Sequence, residues 1–359
     1  MIRNNEGVTN YESHINRKRG IILILIISTI GLALLGLCVG SSMIPIDNVL
    51  EGLFRSGRQA YTTIVWDMRM PRILTALVAG AGLAVSGCVM QNNLRNPLAS
   101  PSTLGISNAA AFGANVAIIL FGAGTATSMV DSKIVVDNPY LITTMAFGMS
   151  MITMVVIVLL SKATNFSPSS VVLAGVAVGS IFSAGTTILQ FFATDSALAT
   201  AVFWSFGDLS RVSMKEMLII AAVTLFSSIY FYAMRWNYNA LANGEELAKS
   251  LGVNTNRLVM MGLILTSLIT AVCISFMGVI GFIGLVAPQI MRIILGDDHR
   301  FLIPASMLAG GIVLLLSDIA ANVVIAPAIL PVGAITSLLG GPMFLYLLIR
   351  GGRNKKCRS

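Results

Sequence analysis

Residues 69–106 read RMPRILTALVAGAGLAVSGCVMQNNLRNPLASPSTLGI, an apolar stretch held between Arg69-Met70-Pro71-Arg72 and the polar turn Gln91-Asn92-Asn93-Leu94-Arg95-Asn96-Pro97-Leu98. About 20 consecutive apolar residues carry a helix across the hydrocarbon core of a bilayer, so residues 71–91 read as a membrane span with two marked ends. Lipid alone does not require such ends. Arginines beside a proline at one end, and amides with prolines at the other, suit a helix that contacts protein on both sides of the membrane.

The same reading extends over the whole chain. Of its 359 residues 56% are apolar and 11% charged, with mean hydropathy +0.86, whereas soluble domains carry about 25% charged residues. Apolar windows between polar breaks predict ten helices, at about 20–42, 71–91, 103–123, 139–161, 169–193, 213–235, 257–277, 280–295, 303–325 and 333–350. The runs lack the alternation of a β-barrel, which makes the fold class an all-α polytopic membrane protein. Residues 1–19 read as an N-terminal tail, 20–350 as the transmembrane domain and 351–359 as a basic C-terminal tail. The run from Gly20 to Val39 follows Arg17-Lys18-Arg19 and exceeds the apolar core of about 7–15 residues found in signal peptides. It reads as an uncleaved first span.

Ten spans put both termini on one side. Placing that side in the cytoplasm gathers 16 of the 23 lysines and arginines there and leaves 7 outside, in accord with the positive-inside rule. The expected location is therefore the cytoplasmic membrane of a bacterium. Because the basic residues are scattered among loops and tails, topology accounts for the net charge of +8 and nucleic acid is not an expected partner.

No G-x-x-x-x-G-K-[ST], H-E-x-x-H or G-x-S-x-G motif occurs, so any ATP use belongs to another polypeptide and the chain does not read as an enzyme. The two histidines, His14 and His299, fall in a tail and a predicted loop. Cys38, Cys88 and Cys273 lie in apolar runs and Cys357 in the tail, without the spacing of a disulfide framework or a thiolate metal site.

Four segments depart from simple spans. In the longest cytoplasmic connection, about 239–253, Leu241, Leu247, Ala248 and Leu251 recur at helical spacing and Gly244 interrupts them, which predicts two short helices with a bend. Such a pair can dock into a cleft of a soluble partner or rest on the bilayer, and Glu245-Glu246 disfavour an anionic lipid surface. Residues 194–213, with Trp204, Phe206 and Leu209, predict a short external or re-entrant helix. The glycines of Gly278-Val279-Ile280-Gly281-Phe282-Ile283-Gly284 read either as tight helix packing or as a gating turn. Asp318, alone in the ninth span with no obvious local partner, reads as a structural hydrogen-bond acceptor or as a proton-coupling site.

Taken in order, Arg69-Met70-Pro71-Arg72, Ser86-Gly87 through Gln91, Asn96-Pro97-Leu98-Ala99 with Pro101, Leu173-Ala174-Gly175-Val176, Ser250-Leu251-Gly252-Val253, Gly281 through Pro288 with Arg292, Leu330-Pro331-Val332-Gly333 and Gly340-Gly341-Pro342 resemble the FecCD-type permeases of ABC importers for iron-siderophores, haem and cobalamin. The resemblance implies the type II importer permease fold, and a homodimer, or a heterodimer with a paralogous permease, embedded in membrane lipid. It further implies two cytoplasmic ATPase subunits holding ATP and Mg, an extracytoplasmic binding protein, and no cofactor on this chain. Ferric siderophore is the expected cargo, with haem or cobalamin the alternatives. An ion-coupled secondary transporter and a passive channel are the readings from other classes.

Residue by residue, the resemblance assigns Arg69 and Arg72 to binding-protein docking. It gives Gly244, Glu245, Leu247, Leu251 and Gly252 to ATPase coupling, Asn96 and Leu98 to an inner cytoplasmic gate, and Pro168 and Ser169 to an outer one. The chain departs from the family at Asn322 and Ile329, where the cobalamin permease carries an external arginine and a glutamate, so the resemblance implies a rearranged docking surface.

Overall fold

The computed structural model describes residues 3–40, 43–56, 59–123, 138–325, 328 and 330–356. Ile329, Cys357 and the end of the basic tail lie outside them. Among the described residues there are helices and no strand.

The helices, in chain order, are α1 (Arg3–Cys38), α2 (Ile46–Leu53), α3 (Gln59–Thr63), α4 (Met70–Asn93), α5 (Ile106–Asn115), α6 (Pro139–Ala163), α7 (Pro168–Phe191), α8 (Asp195–Ser205), α9 (Met214–Ala233), α10 (Arg235–Ala242), α11 (Glu245–Ser250), α12 (Thr255–Met277), α13 (Ile283–Leu295), α14 (His299–Val323) and α15 (Val332–Lys356). All ten predicted spans are present. Among the described residues seven are long and apolar enough to cross a bilayer, and two apolar helices, Ile106–Leu120 and Ile283–Leu295, are shorter. The tails differ from expectation, because α1 already begins at Arg3 and α15 continues to Lys356.

Burial ranks the helices. In their apolar windows α4 and α12 are 78% buried and α14 61%, against 11% for α1 and 17% for α7. A span that is apolar all round while its neighbours are half exposed forms the centre of the bundle. Small residues let the central backbones meet. A Cβ added at Gly80 would overlap the Gly310 carbonyl oxygen in α14, and one at Gly87 would overlap the Gly284 carbonyl oxygen in α13. This is the small-residue packing of membrane helices, and Gly284 of the 278–284 stretch takes part in it.

Directions follow from contacts. Asn93, at the end of α4, meets Val259 at the start of α12, while Ile274, near the other end of α12, clusters with Ile142 and Ala146 at the start of α6 and with Ala110 and Ala114 of α5. Thus α6 ends, and α7 begins, on the side where α4 ends. The half-length α5 starts within the membrane, since the Ile106 carbonyl accepts from Ser150 at the middle of α6. The preceding stretch turns back into the bundle, with Ser100, Pro101 and Ser102 bordering the same small cavity as Leu83 and Thr270.

Segment 194–213 contains the predicted helix as α8, with Thr194 capping it and Trp204 buried. Cys38, Cys88 and Cys273 are free thiols.

Candidate functional site

Three consecutive amides end α4. Successive helical residues point about 100° apart, so Gln91, Asn92 and Asn93, all buried, reach three different neighbours. Asn92 Nδ2 donates to the Tyr238 carbonyl of α10 at 3.0 Å, and Asn93 Nδ2 to the Val259 carbonyl of α12 at 3.5 Å. Gln91 Nε2 lies 3.4 Å from the carbonyls of Gly284 and Leu285. Its Oε1 accepts from Gln289 and Arg292, each at 3.3 Å, and Gln289 also donates to the Pro97 carbonyl at 3.1 Å. Buried polar groups need such partners. Here they fasten a central span to a loop and to three other helices at one end of the bundle.

Below this knot lies the predicted bent pair. Gly244 separates α10 from α11 at φ 127°, ψ 147°, a region that residues with a Cβ avoid. Gly252, at φ 82°, ends α11, with the Val253 N–H closing back on the Ala248 carbonyl, as in a glycine-terminated helix. Tyr238, Leu241 and Ala248 turn inward and are buried, whereas Leu247 is 48% and Leu251 65% exposed. Two leucines four residues apart thus project from α11, while Tyr238, Leu241 and Ala248 anchor the pair from within. Glu245 pairs with Lys249 at 2.9 Å and with Arg95 at 3.3 Å. The Lys249 hydrogen bond, above all, holds its carboxyl below the usual range. Since Arg95 and Glu245 are both well exposed, that pair adds little stability, but it ties α11 to the loop carrying Asn96.

A second joint, not foreseen from sequence, holds α10 to α14. Asn239 Nδ2 donates to Asp298 Oδ1 at 2.9 Å, and Asn239 Oδ1 accepts the His299 N–H at 2.8 Å. His299 does not lie in a loop, as expected, but opens α14 and is buried. The available signal was Asp298 itself, a helix N-cap residue ahead of an apolar run. Burial pushes the Asp298 carboxyl up, but hydrogen bonds from Arg300 and Asn239 outweigh it and hold the group at about 2. With the folded value below the ordinary 3.8, its stabilisation is present above that value and is lost as pH falls toward about 2. Thermal unfolding of wild type and Asp298→Asn should differ by a constant amount from neutral pH to about pH 5, and the difference should shrink below about pH 4.

Asn96 and Leu98 sit in the turn after α4, where Asn96 Oδ1 accepts the Leu98 N–H at 2.9 Å and Leu98 is 39% exposed. Pro168 and Ser169 open α7. The helix directions put them at the end where α4 ends, as the alternation of the predicted spans requires. Both pairs therefore belong to one end of the molecule.

At the opposite end Asp318, which has no local partner along the sequence, meets a distant one. Arg72 Nε lies 2.9 and 3.0 Å from the two Asp318 carboxylate oxygens, and Nη2 is 2.7 Å from Oδ1. The side chains are only 14% and 4% exposed. A guanidinium paired in this way with a buried carboxylate has little surface left to offer a docking partner. Asn322, one turn on, is buried and donates to the Asp318 carbonyl at 2.7 Å. Arg69 is half-buried and donates to the Leu37 carbonyl, beside the exposed Asp67 and Met68.

The sequence profile of the FecCD transport family matches residues 24–350. A protein of Methanocaldococcus jannaschii assigned as an ABC transporter permease is 49% identical over 328 residues, 91% of this chain and 93% of its own. The hemin transport system permease protein HmuU of Yersinia pestis is 35% identical over 288 residues, 80% of this chain and 83% of its own. A solved structure described as an inward-facing conformation of an ABC transporter assigned to the metal-chelate type has a TM-score of 0.79 at 29% identity, covering 92% of this chain and 99% of that one.

Proposed function

Since the chain belongs to the FecCD transport family, and is the membrane permease of an ABC importer rather than an enzyme, we propose that it moves a ferric siderophore inward while partner ATPases hold and hydrolyse Mg-ATP. The hemin named for one relative and the metal chelate named for the structural neighbour support an iron chelate as cargo. Haem and cobalamin are the alternatives within the same class.

The carrying observation is the α10–α11 pair. Its exposed Leu247 and Leu251 form an apolar knob for a cleft on each ATPase, and its buried side is fastened to α4 by Asn92 and to α14 by Asn239. Movement of an ATPase can thereby pass as a rigid-body shift to the ends of two central spans. Glu245 and Arg95 carry the same shift to the loop of Asn96 and Leu98, which with Pro168 and Ser169 form the cytoplasmic closure of the path. Gly244 supplies the bend and Gly252 the end of the docking element. Two such permeases, identical or paralogous, enclose the path, with both termini in the cytoplasm.

Replacing Leu247 and Leu251 together by glutamate is expected to reduce retention of the ATPase subunits on the purified permease at least tenfold, or about 1.4 kcal/mol or more, with thermal unfolding unchanged. Uptake into proteoliposomes should require ATP, the ATPases and a binding protein; uptake driven by an ion gradient alone would overturn the proposal.

Docking of the binding protein is assigned to the end that carries Arg69. Guanidinium–carboxylate attraction accelerates encounter and selects orientation. Arg69→Glu should weaken association with the loaded binding protein about tenfold and leave ATPase retention intact; equal affinity would remove Arg69 from the docking surface. Where the cobalamin permease carries a further external arginine this chain has the buried Asn322, so that position offers the binding protein no cation.

A further inference from the structure

A groove of about 470 Å³ runs on the outside of the bundle between the end of α9 and the start of α14, walled by Ile229, Ala233, Ile303, Pro304 and Met307. Its mouth is Arg235, the first residue of α10, and Tyr232 lies alongside. The surrounding surface of α9 is apolar, with Leu225, Phe226 and Ile229 more than 60% exposed. In a membrane-spanning helix such a surface meets hydrocarbon, so the solvent of this groove is lipid.

The charge at the mouth decides which lipid. Arg95 and Lys249 pair with Glu245, Arg292 with Asp297, and Arg300 with Asp298. Arg235, at the same end, makes no ion pair among the described residues. Its guanidinium lies 4.5 Å from the Tyr232 ring centre and 5.9 Å from that of Trp236, and Nη1 donates to the Tyr232 carbonyl. The aromatic rings hold the cation at headgroup depth, with donors to spare for an acceptor from the membrane.

We propose that this groove binds one anionic phospholipid, with an acyl chain between α9 and α14 and the headgroup phosphate on Arg235. Basic sites between spanning helices at a membrane surface recognise such headgroups, and the guanidinium fork matches phosphate. The position gives the site a consequence. Arg235 is the elbow between the spanning α9 and the α10–α11 pair, so the bound lipid braces the joint from which the docking leucines are hung.

Native mass spectrometry of the full chain, purified from vesicles of phosphatidylcholine and phosphatidylglycerol, tests this. The wild type should retain phosphatidylglycerol in preference to phosphatidylcholine. Arg235→Gln should lower that retention several-fold. Ala233→Trp, which fills the exposed wall of the groove, should do the same, while Arg257→Gln, an exposed arginine that does not line the groove, should leave it unchanged. Thermal unfolding of each variant checks that the bundle is intact. A photocrosslinking side chain at position 233 should capture phospholipid. The proposal is overturned if Arg235→Gln retains as much phosphatidylglycerol as the wild type, if phosphatidylcholine is held equally well, or if the crosslinker captures a second copy of the chain instead of lipid.

Discussion

Replacing Asp318 by alanine should destabilise the protein by about 3–5 kcal/mol, the usual cost of leaving one member of a buried ion pair uncompensated. The Arg72 guanidinium, 14% exposed and within 3.0 Å of both carboxylate oxygens, would then lie between α4 and α14 without its carboxylate. Thermal unfolding in detergent and the amount of protein reaching the membrane both measure the loss. The double variant Arg72→Met with Asp318→Leu should recover most of it, because well-packed apolar residues often replace a buried pair without loss. Recovered ATP-driven uptake in the double variant would mark the pair as structural. A folded but inactive double variant would return Asp318 to a proton-coupling role.

The second large effect is expected at Gly87. A Cβ there would overlap the carbonyl oxygen and carbonyl carbon of Gly284, and backbone, unlike a side chain, has no rotamer through which to yield. Gly87→Val must push α13 away from α4, with an overpacking cost of about 1–3 kcal/mol or more. The displacement also pulls Gln289 and Arg292 off Gln91, so ATP-driven uptake should fall further than stability does. Gly148→Ala in α6 is the control, since an added Cβ there has no neighbour within 4 Å; it should match or slightly exceed wild type in thermal unfolding. Equal stability of Gly87→Val and wild type would mean that the helices do not cross here.

Much of the fold was legible because a membrane span announces itself locally. Apolar runs of the right length located every predicted helix, and Gly244 between residues at helical spacing located the bend between α10 and α11. The half-length α5 was less legible. A window over 103–123 is apolar whether the chain crosses straight through or first turns back, and only the contact of Ile106 with the middle of α6 separates the two. At the candidate site, the leucines of the α10–α11 pair followed from spacing, but which of them face outward did not. Leu241 and Leu247 look alike in sequence, and packing under α4 buries one and leaves the other exposed. Asn239, Asp298 and His299 were missed because a hydrogen-bonded joint across about 60 positions leaves no periodic trace.

The sequence by itself determined the solvent, the class and the family: composition and run length report on transfer into lipid residue by residue, and the motif blocks keep their order. Only the tertiary structure decided the partners. Arg72 and Asp318 are 246 positions apart, and each alone reads as an exposed cation or an orphan acid. Placed against each other by the close glycine packing of α4 on α14, they become one neutral, buried unit.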